Sequence, residues 1–289
     1  MFSIYFYKYA VIGGDLRQKF ILKELSLHHQ CLSFGVPDGE KFSHLAKTME
    51  LAVKNAENII FPIPMQKGGN LNMSCDCSYH CKELLGFLRK GQCVFAGCIP
   101  REYREFLNHR GVVYYDYMEQ SAISIYNSIA TAEGLIAEVL THSPRNLHDC
   151  RALVLGYGSC GKTLAGKLKA LNAKVCVCAR GEDARMEAYS LGMCTCDFAK
   201  LPEIIGSYPL IFNTVPAKIL NKNILSQVDG SAMIFDIASF PYGIDVEAAR
   251  ELSLDTHICM SLPAKYSPVS SAEILTCFIL KKSLETKSE

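Results

Sequence analysis

Short apolar runs alternate with amphipathic stretches along this chain, and from residue 151 onward the alternation is regular. Apolar runs at 151–155, 174–179, 193–196, 210–214, 231–237 and 256–260 predict strands. Helical spacing of apolar positions predicts helices near 161–171, 182–191, 221–228 and 246–252; Leu164, Ala165, Leu168 and Leu171 form one such face. Gly192 and Asn172 stand where a left-handed residue ends a helix. Strands that alternate with helices in this way predict a parallel sheet wound on both faces.

The first half alternates more loosely. Tyr9–Gly13 predicts a strand and Asp15–Leu27 a helix, with further strands near 30–34, 58–62, 93–96 and 112–116. Pro62, Pro64, Gly68, Gly69 and Asn70 mark a long loop. Ser128–Thr141 lines up Ile129, Ala132, Leu135, Ile136, Val139 and Leu140, which predicts a linker helix ended by Ser143 and Pro144. A last helix is expected over Ser271–Ser283, with Ile274, Leu275, Phe278 and Ile279 on one side. The expected fold class is therefore α/β in two domains. Residues 1–126 make an N-terminal flavodoxin- or Rossmann-like α/β substrate domain, and 127–150 a linker helix. Residues 151–270 make a C-terminal Rossmann domain with a doubly wound parallel sheet that binds NAD(P). Residues 271–289 form a C-terminal helix that packs back toward the N-terminal domain.

Composition narrows the function classes. A chain of 289 residues is long enough for two cores. A formal net charge of +1 offers no basic field for nucleic acid or a membrane surface. Met1–Tyr9 is apolar but short, carries Lys8, and lacks both a basic leader region and a small-residue cleavage site. No apolar run reaches membrane length, so a cytoplasmic protein is expected. Of the 14 cysteines, Cys93, Cys176, Cys178, Cys194, Cys196 and Cys259 fall in predicted strands, where thiols act as small hydrophobes. Cys75, Cys77, His80 and Cys81 are clustered, but their spacing fits no common zinc pattern; reduced thiols and no metal are expected.

The chemistry is concentrated after the strand at 151–155. There Gly156, Gly158 and Gly161 reproduce the G-x-G-x-x-G spacing between a strand and a helix. The first glycine permits the turn, the second lets backbone approach a pyrophosphate, and the third lets the helix sit close to the sheet. Ser159, Cys160 and Gly161 then supply the first amides of the helix to the anion. The next strand ends in Ala179 and Arg180 without the carboxylate that would bind an NAD ribose, and Glu182 and Asp183 come too late. A guanidinium at Arg180 suits a 2′-phosphate, so NADP is favoured, with NAD as the alternative. Asn213 with Thr214, Val215 and Pro216, and Asp236 with Ala238 and Ser239, fall at later strand ends, where a coenzyme is edged.

Two further features bear on the substrate. The loop Ser261–Pro268 has no histidine to serve as the acid/base of a hydroxyacid dehydrogenase, and His257 belongs to a predicted strand as a packed or surface residue. Near the N-terminus, Gly13, Gly14 and Asp15 lead into a helix with Arg17 in its first turn. Either Arg17 clamps a substrate carboxylate, or Asp15 is an N-cap and Arg17 a surface residue.

These residues resemble a known family. Val11–Asp15 with Arg17 and Gln18, Tyr126–Ile129 with Glu133 and Gly134, and Leu155–Gly158 with Gly161 are similar to motifs of the dipicolinate synthase A subunits of spore-forming bacteria. So are Asn213–Pro216, Asp236–Ser239 with Pro241, and Leu262 and Pro263 with Pro268. The resemblance implies an NAD(P)-dependent oxidation forming pyridine-2,6-dicarboxylate from dihydrodipicolinate or its hydroxytetrahydro precursor. It also implies, as partner, a flavoprotein-like B subunit, and action in the mother-cell cytoplasm during sporulation; a homo-oligomer is expected. Leu262 and Pro263 are thereby added to the coenzyme set, and Arg17, Asp15, Asn127 and Ser128 are the expected catalytic residues. Arg17 is the first choice for a substrate carboxylate, and Asn127 and Ser128 are neutral donors. A ring that becomes aromatic on losing hydride needs orientation and a proton acceptor more than a histidine. The chain departs from the family pattern at Ser159, Phe240, Ser261, Ala264 and Val269, where the family often carries cations or glycines, and at Ser270, where a threonine often stands. The alternatives are a dehydrogenase of another amino or hydroxy acid and a non-catalytic nucleotide-binding subunit.

Overall fold

The computed structural model describes residues 7–74, 78–239 and 242–285, and the chain divides into two compact units. The first contains the chain up to Tyr126 together with everything from Ser267 on; the second is Asn127–Tyr266. In the first, β1 (Tyr7–Ile12) runs into Gly13 and Gly14, whose φ values of +62° and +84° suit glycine, and then into α1 (Leu16–Ser26). There follow β2 (Cys31–Phe34), β3 (His44–Leu45), α2 (Met49–Lys54), β4 (Ala56–Ile60) and a small antiparallel ribbon, β5 (Gln66–Lys67) with β6 (Asn70–Leu71). Then come α3 (Cys81–Gly86), β7 (Cys93–Ala96), α4 (Arg101–His109) and β8 (Val113–Asp116). The long strands pair in parallel in the order β3-β2-β1-β4-β7-β8. Of the two orders the sequence left open, this is the Rossmann one.

Helix α5 is continuous over Ser121–His142. It begins earlier than the periodicity suggests, because Ile123 adds a buried anchor in the first unit. It stops at His142, so residues 143–150, expected within the linker helix, are an irregular connection. The second unit continues with β9 (Arg151–Leu155), α6 (Ser159–Ala170), β10 (Lys174–Cys178), α7 (Glu182–Ser190) and β11 (Cys194–Cys196). It is completed by α8 (Leu201–Ile204), β12 (Leu210–Asn213), α9 (Lys222–Leu225), β13 (Met233–Asp236), α10 (Val246–Glu251), β14 (Asp255–Ile258) and α11 (Leu262–Tyr266). Its strands, all parallel, take the order β11-β10-β9-β12-β13-β14, again the Rossmann order. Helix α12 (Pro268–Glu285) belongs to the first unit.

Each sheet is buried on both faces, as parallel strands joined by helical crossovers require. In the first unit, Ala10, Ile12, Ile59 and Val94 face α2, α3 and α4, while Tyr9, Val11, Ile60 and Phe95 face α1 and α12. Ala272, Leu275 and Ile279 of α12 lie in that second layer, and the Tyr9 hydroxyl meets Ser283 Oγ at 2.8 Å in a buried contact. In the second unit, Ala152, Val154, Val177 and Phe235 face α5 and α6, and Leu153, Leu155, Ile211 and Ile234 face α8, α9 and α10. Among the described residues no helix is long and apolar enough to cross a membrane.

Candidate functional site

The turn from β9 into α6 is shaped by three glycines that do three different things. Gly156 sits at φ +96°, and a side chain there would run into Thr214 Oγ1 at 2.5 Å. Gly161 lets the helix close on the turn: a Cβ at this position would lie 2.3 Å from the Gly156 carbonyl oxygen. Gly158, the N-cap of α6, has φ −80°, which any residue adopts, and a Cβ there would meet no protein atom within 4 Å. The space beside Gly158 is therefore open, and the first amides of α6 are left without intrahelical acceptors next to it. Thr214 braces the turn from the neighbouring strand end, its amide and hydroxyl both donating to the Leu155 carbonyl, at 3.0 and 2.9 Å.

That space is a cavity of about 420 Å³, and ten of the residues expected at a coenzyme line it: Gly156, Gly158, Ser159, Cys160, Gly161, Ala179, Arg180, Thr214, Val215 and Pro216. Burial pushes the Cys160 thiol up from its ordinary value, so it stays a neutral group in this wall. Tyr157, Gly181, Ala184 and Phe198 also line the cavity and were not anticipated. Phe198 follows the end of β11, so the strand-end rule would have found it. A second cavity, of about 300 Å³, shares Arg180, Phe198 and Val215 with the first and is otherwise walled mainly by Leu201, Ala217, Ile219 and Ile224. No carboxylate lines either space among the described residues.

The site fits a dinucleotide. An anion is suited to the open side of Gly158 at the head of a 12-residue helix, and an apolar ring to the second cavity. Arg180, exposed and shared by both walls, stands between them.

Five expected coenzyme residues are not in these walls, and their surroundings say why. Asp236 is buried and its carboxylate is occupied: Oδ1 accepts from Asn213 Nδ2 at 3.0 Å and the Ala238 amide at 2.8 Å, and Oδ2 from the Gly243 amide at 2.9 Å. Asn213 in turn donates to the Val215 carbonyl at 3.1 Å. The Asp236 side chain thus holds the loops after β12 and β13 in register and is not available to a ligand. Gly243 belongs to the same knot, since a Cβ there would be 1.8 Å from Asn213 Nδ2. Ala238 is buried beside it, and Ser239 is exposed. Leu262 and Pro263 begin α11 and are buried; Leu262 packs in the core, against Gly134 of α5.

The expected catalytic residues are distributed over both units. In the first, Asp15 is the N-cap of α1, accepting the Arg17 amide at 3.0 Å. Arg17 is not a surface residue: it is 5% exposed, and its Nε and Nη2 grip Asp15 at 3.0 and 2.7 Å. Nη2 also donates to the Ile63 carbonyl at 2.6 Å, tying the loop after β1 to the loop after β4, where the strand order reverses. Nη1 has no hydrogen-bond partner among the described residues. In the second unit, Ser128 is buried, and its hydroxyl bonds Thr163 Oγ1 of α6 at 2.9 Å. Asn127 is half-buried; its carbonyl accepts from Thr131 Oγ1 at 2.7 Å. His257 stacks on Phe235 with ring centres 4.9 Å apart, as a packed residue does. Cys75, Cys77, Phe240 and Pro241 lie outside the described residues, among which no group of side chains is arranged to hold a metal ion.

Comparison with known proteins finds similar sequences and folds. Residues 8–118 match the family model for the N-terminal domain of the dipicolinate synthase A subunit. The A subunit of dipicolinate synthase from Bacillus subtilis (strain 168) is 27% identical over 293 residues, which span 98% of this chain and 97% of that one. The crystal structure of its counterpart from Bacillus halodurans superposes with a TM-score of 0.86 at 27% identity, over 96% of this chain and 98% of that one. A transhydrogenase from Sinorhizobium meliloti shares the fold, with a TM-score of 0.63 at 16% identity over 96% of this chain and 94% of that one.

Proposed function

We propose that this chain, similar over its whole length to the A subunits of dipicolinate synthase, is a nicotinamide-dependent oxidoreductase that forms pyridine-2,6-dicarboxylate from dihydrodipicolinate or its hydroxytetrahydro precursor. The observation that carries the proposal is the pair of cavities meeting at Arg180, with the open face of Gly158 at one end and an apolar pocket at the other. NADP is the proposed coenzyme, because a guanidinium without a competing carboxylate in these walls favours a 2′-phosphate over a bare ribose. When bound, the nicotinamide coenzyme supplies the two-electron acceptor that makes the substrate ring aromatic.

The chain's own residues do the holding. Gly158 and the first turn of α6 take the pyrophosphate, and Arg180 takes the 2′-phosphate. Thr214, Val215 and Pro216 edge the coenzyme from the end of β12. For the substrate, the Nη1 group of Arg17 is the proposed carboxylate donor, pre-aimed by the Asp15 pair, with Asn127 as a neutral donor. Pairing with a B subunit, assembly into a homo-oligomer, and action in the mother-cell cytoplasm during sporulation belong to the same proposal.

The closing test gives the purified chain and its B partner NADP and freshly prepared dihydrodipicolinate. Pyridine-2,6-dicarboxylate and NADPH are expected in equal amounts; no product with either coenzyme would contradict the proposal. One observation favours a second reading, an oxidoreductase of another amino or hydroxy acid: most of the Arg17 guanidinium is already matched by Asp15, which leaves little charge for a dianion. Turnover of such an acid without turnover of dihydrodipicolinate would select it.

A further inference from the structure

The turn that presents Arg180 is held by a second arginine. Arg185, in α7, points one nitrogen at three acceptors: the two N–H groups of Nη1 are shared among the Ala179 carbonyl at 2.7 Å, the Arg180 carbonyl at 2.7 Å and Asp197 Oδ2 at 2.8 Å. Asp197 is fixed from its other side as well, because its Oδ1 accepts the Ala199 amide at 2.9 Å. The two carbonyls belong to cavity-lining residues, and Asp197 directly precedes Phe198, which lines both cavities. Without Arg185, two carbonyl dipoles and one carboxylate would place uncompensated negative charge beside Arg180.

We propose that Arg185 is a positioning residue for coenzyme choice: it orients the Ala179–Arg180 turn and cancels Asp197, so that Arg180 meets a 2′-phosphate without opposing charge. The inference rests on the assignment of NADP to the cavities at Arg180 and adds the device that makes the assignment work. Arg185 itself touches the turn rather than the coenzyme. Its removal therefore acts on the 2′-phosphate more than on the pyrophosphate or the apolar pocket. A merely structural role would weaken NAD and NADP alike.

The test is the ratio of NADP to NAD affinity, measured by calorimetric titration on the full chain. Arg185→Met is expected to lower that ratio by about fivefold, the scale of one uncompensated charge at a partly screened distance. Arg185→Lys, which keeps the charge opposite Asp197, recovers part of the loss. So does the double variant Arg185→Met with Asp197→Asn. Asp197→Asn alone keeps the oxygen that caps Ala199 and raises the ratio, so it carries the test if Arg185→Met does not fold. Equal losses for both coenzymes in Arg185→Met, or an unchanged or lowered ratio in Asp197→Asn, would overturn the inference. Arg180→Ala, run in parallel, separates the two levels. If it leaves the ratio untouched, the NADP assignment itself fails; if it shifts the ratio while the Arg185 and Asp197 variants do not, only the bracing role fails.

Discussion

At position 158 a side chain would project into open space, whereas at position 161 it would strike backbone, and the two glycines can be separated by experiment. Gly158→Val is expected to leave the melting temperature nearly unchanged and to weaken coenzyme binding at least about 100-fold, about 2.7 kcal/mol. Gly161→Val instead forces the start of α6 away from the Gly156 carbonyl and should cost about 1–3 kcal/mol of stability, read by denaturant unfolding. Asp236→Ala strands the buried Ala238 and Gly243 amide contacts and leaves Asn213 Nδ2 with the Val215 carbonyl alone; a loss of about 2–4 kcal/mol is expected. The contrast shows what residue types reveal. The glycine turn is legible because Gly156 and Gly161 leave no room for a side chain, and their spacing marks the open position at Gly158 between them. The carboxylate at the end of β13 is not, because Asp236 reads the same whether it faces a ligand or a neighbouring loop. Arg17 is an intermediate case. Its place in the first turn of α1 and the Asp15 cap are visible in the sequence, but its grip on Ile63 depends on a loop distant in the chain.

Strands and helices with strong periodicity fall where the apolar pattern puts them, β9 over Arg151–Leu155 and β7 over Cys93–Ala96 among them. Short helices such as α2, α3, α8 and α11 have too few turns to establish a period and are held by what they pack on. The last helix shows how much an element can depend on its neighbours. Leu275 of α12 is 2% exposed in a layer with Tyr9, Val11 and Ile21, so Leu275→Ala should destabilise the first unit by about 2–5 kcal/mol in chemical unfolding.

A pH effect belongs to the link between α5 and α11. Burial alone would push the Glu138 carboxyl up, but hydrogen bonds from Lys265, at 2.6 Å, and Tyr266 outweigh it and hold the group below its ordinary value of 4.5. A carboxyl depressed in the folded state stabilises above its unfolded value, and that stabilisation disappears as pH falls through the folded one. Melting temperature should therefore fall on acidification below pH 4.5, and Glu138→Gln should be less stable at neutral pH with a shallower fall. An equally steep fall in the variant would show that other groups dominate.

Across the whole molecule, two sheets of the same strand order are built from one chain, the first completed only by the final helix. Apolar runs and their connections identify parallel α/β units, but a buried strand has the same composition whichever strand lies beside it. The choice between flavodoxin and Rossmann order in the first unit accordingly rests on the pairing of the short strand β3 outside β2, with β1 between β2 and β4. The proposed function follows a similar division: the proposed pyrophosphate cradle is local in sequence, while Arg185, Asp197 and Phe198 assemble around Arg180 from separate elements.

The central claim is that the glycine turn of the second unit grips a dinucleotide. Calorimetric titration of NADPH and NADH into the folded native chain, with Gly158→Val alongside, tests it most directly. Saturable binding to one site per chain is predicted, tighter for NADPH and lost in the variant. A folded native chain that takes up neither coenzyme, or a Gly158→Val chain that binds as tightly as the native one, would contradict the account.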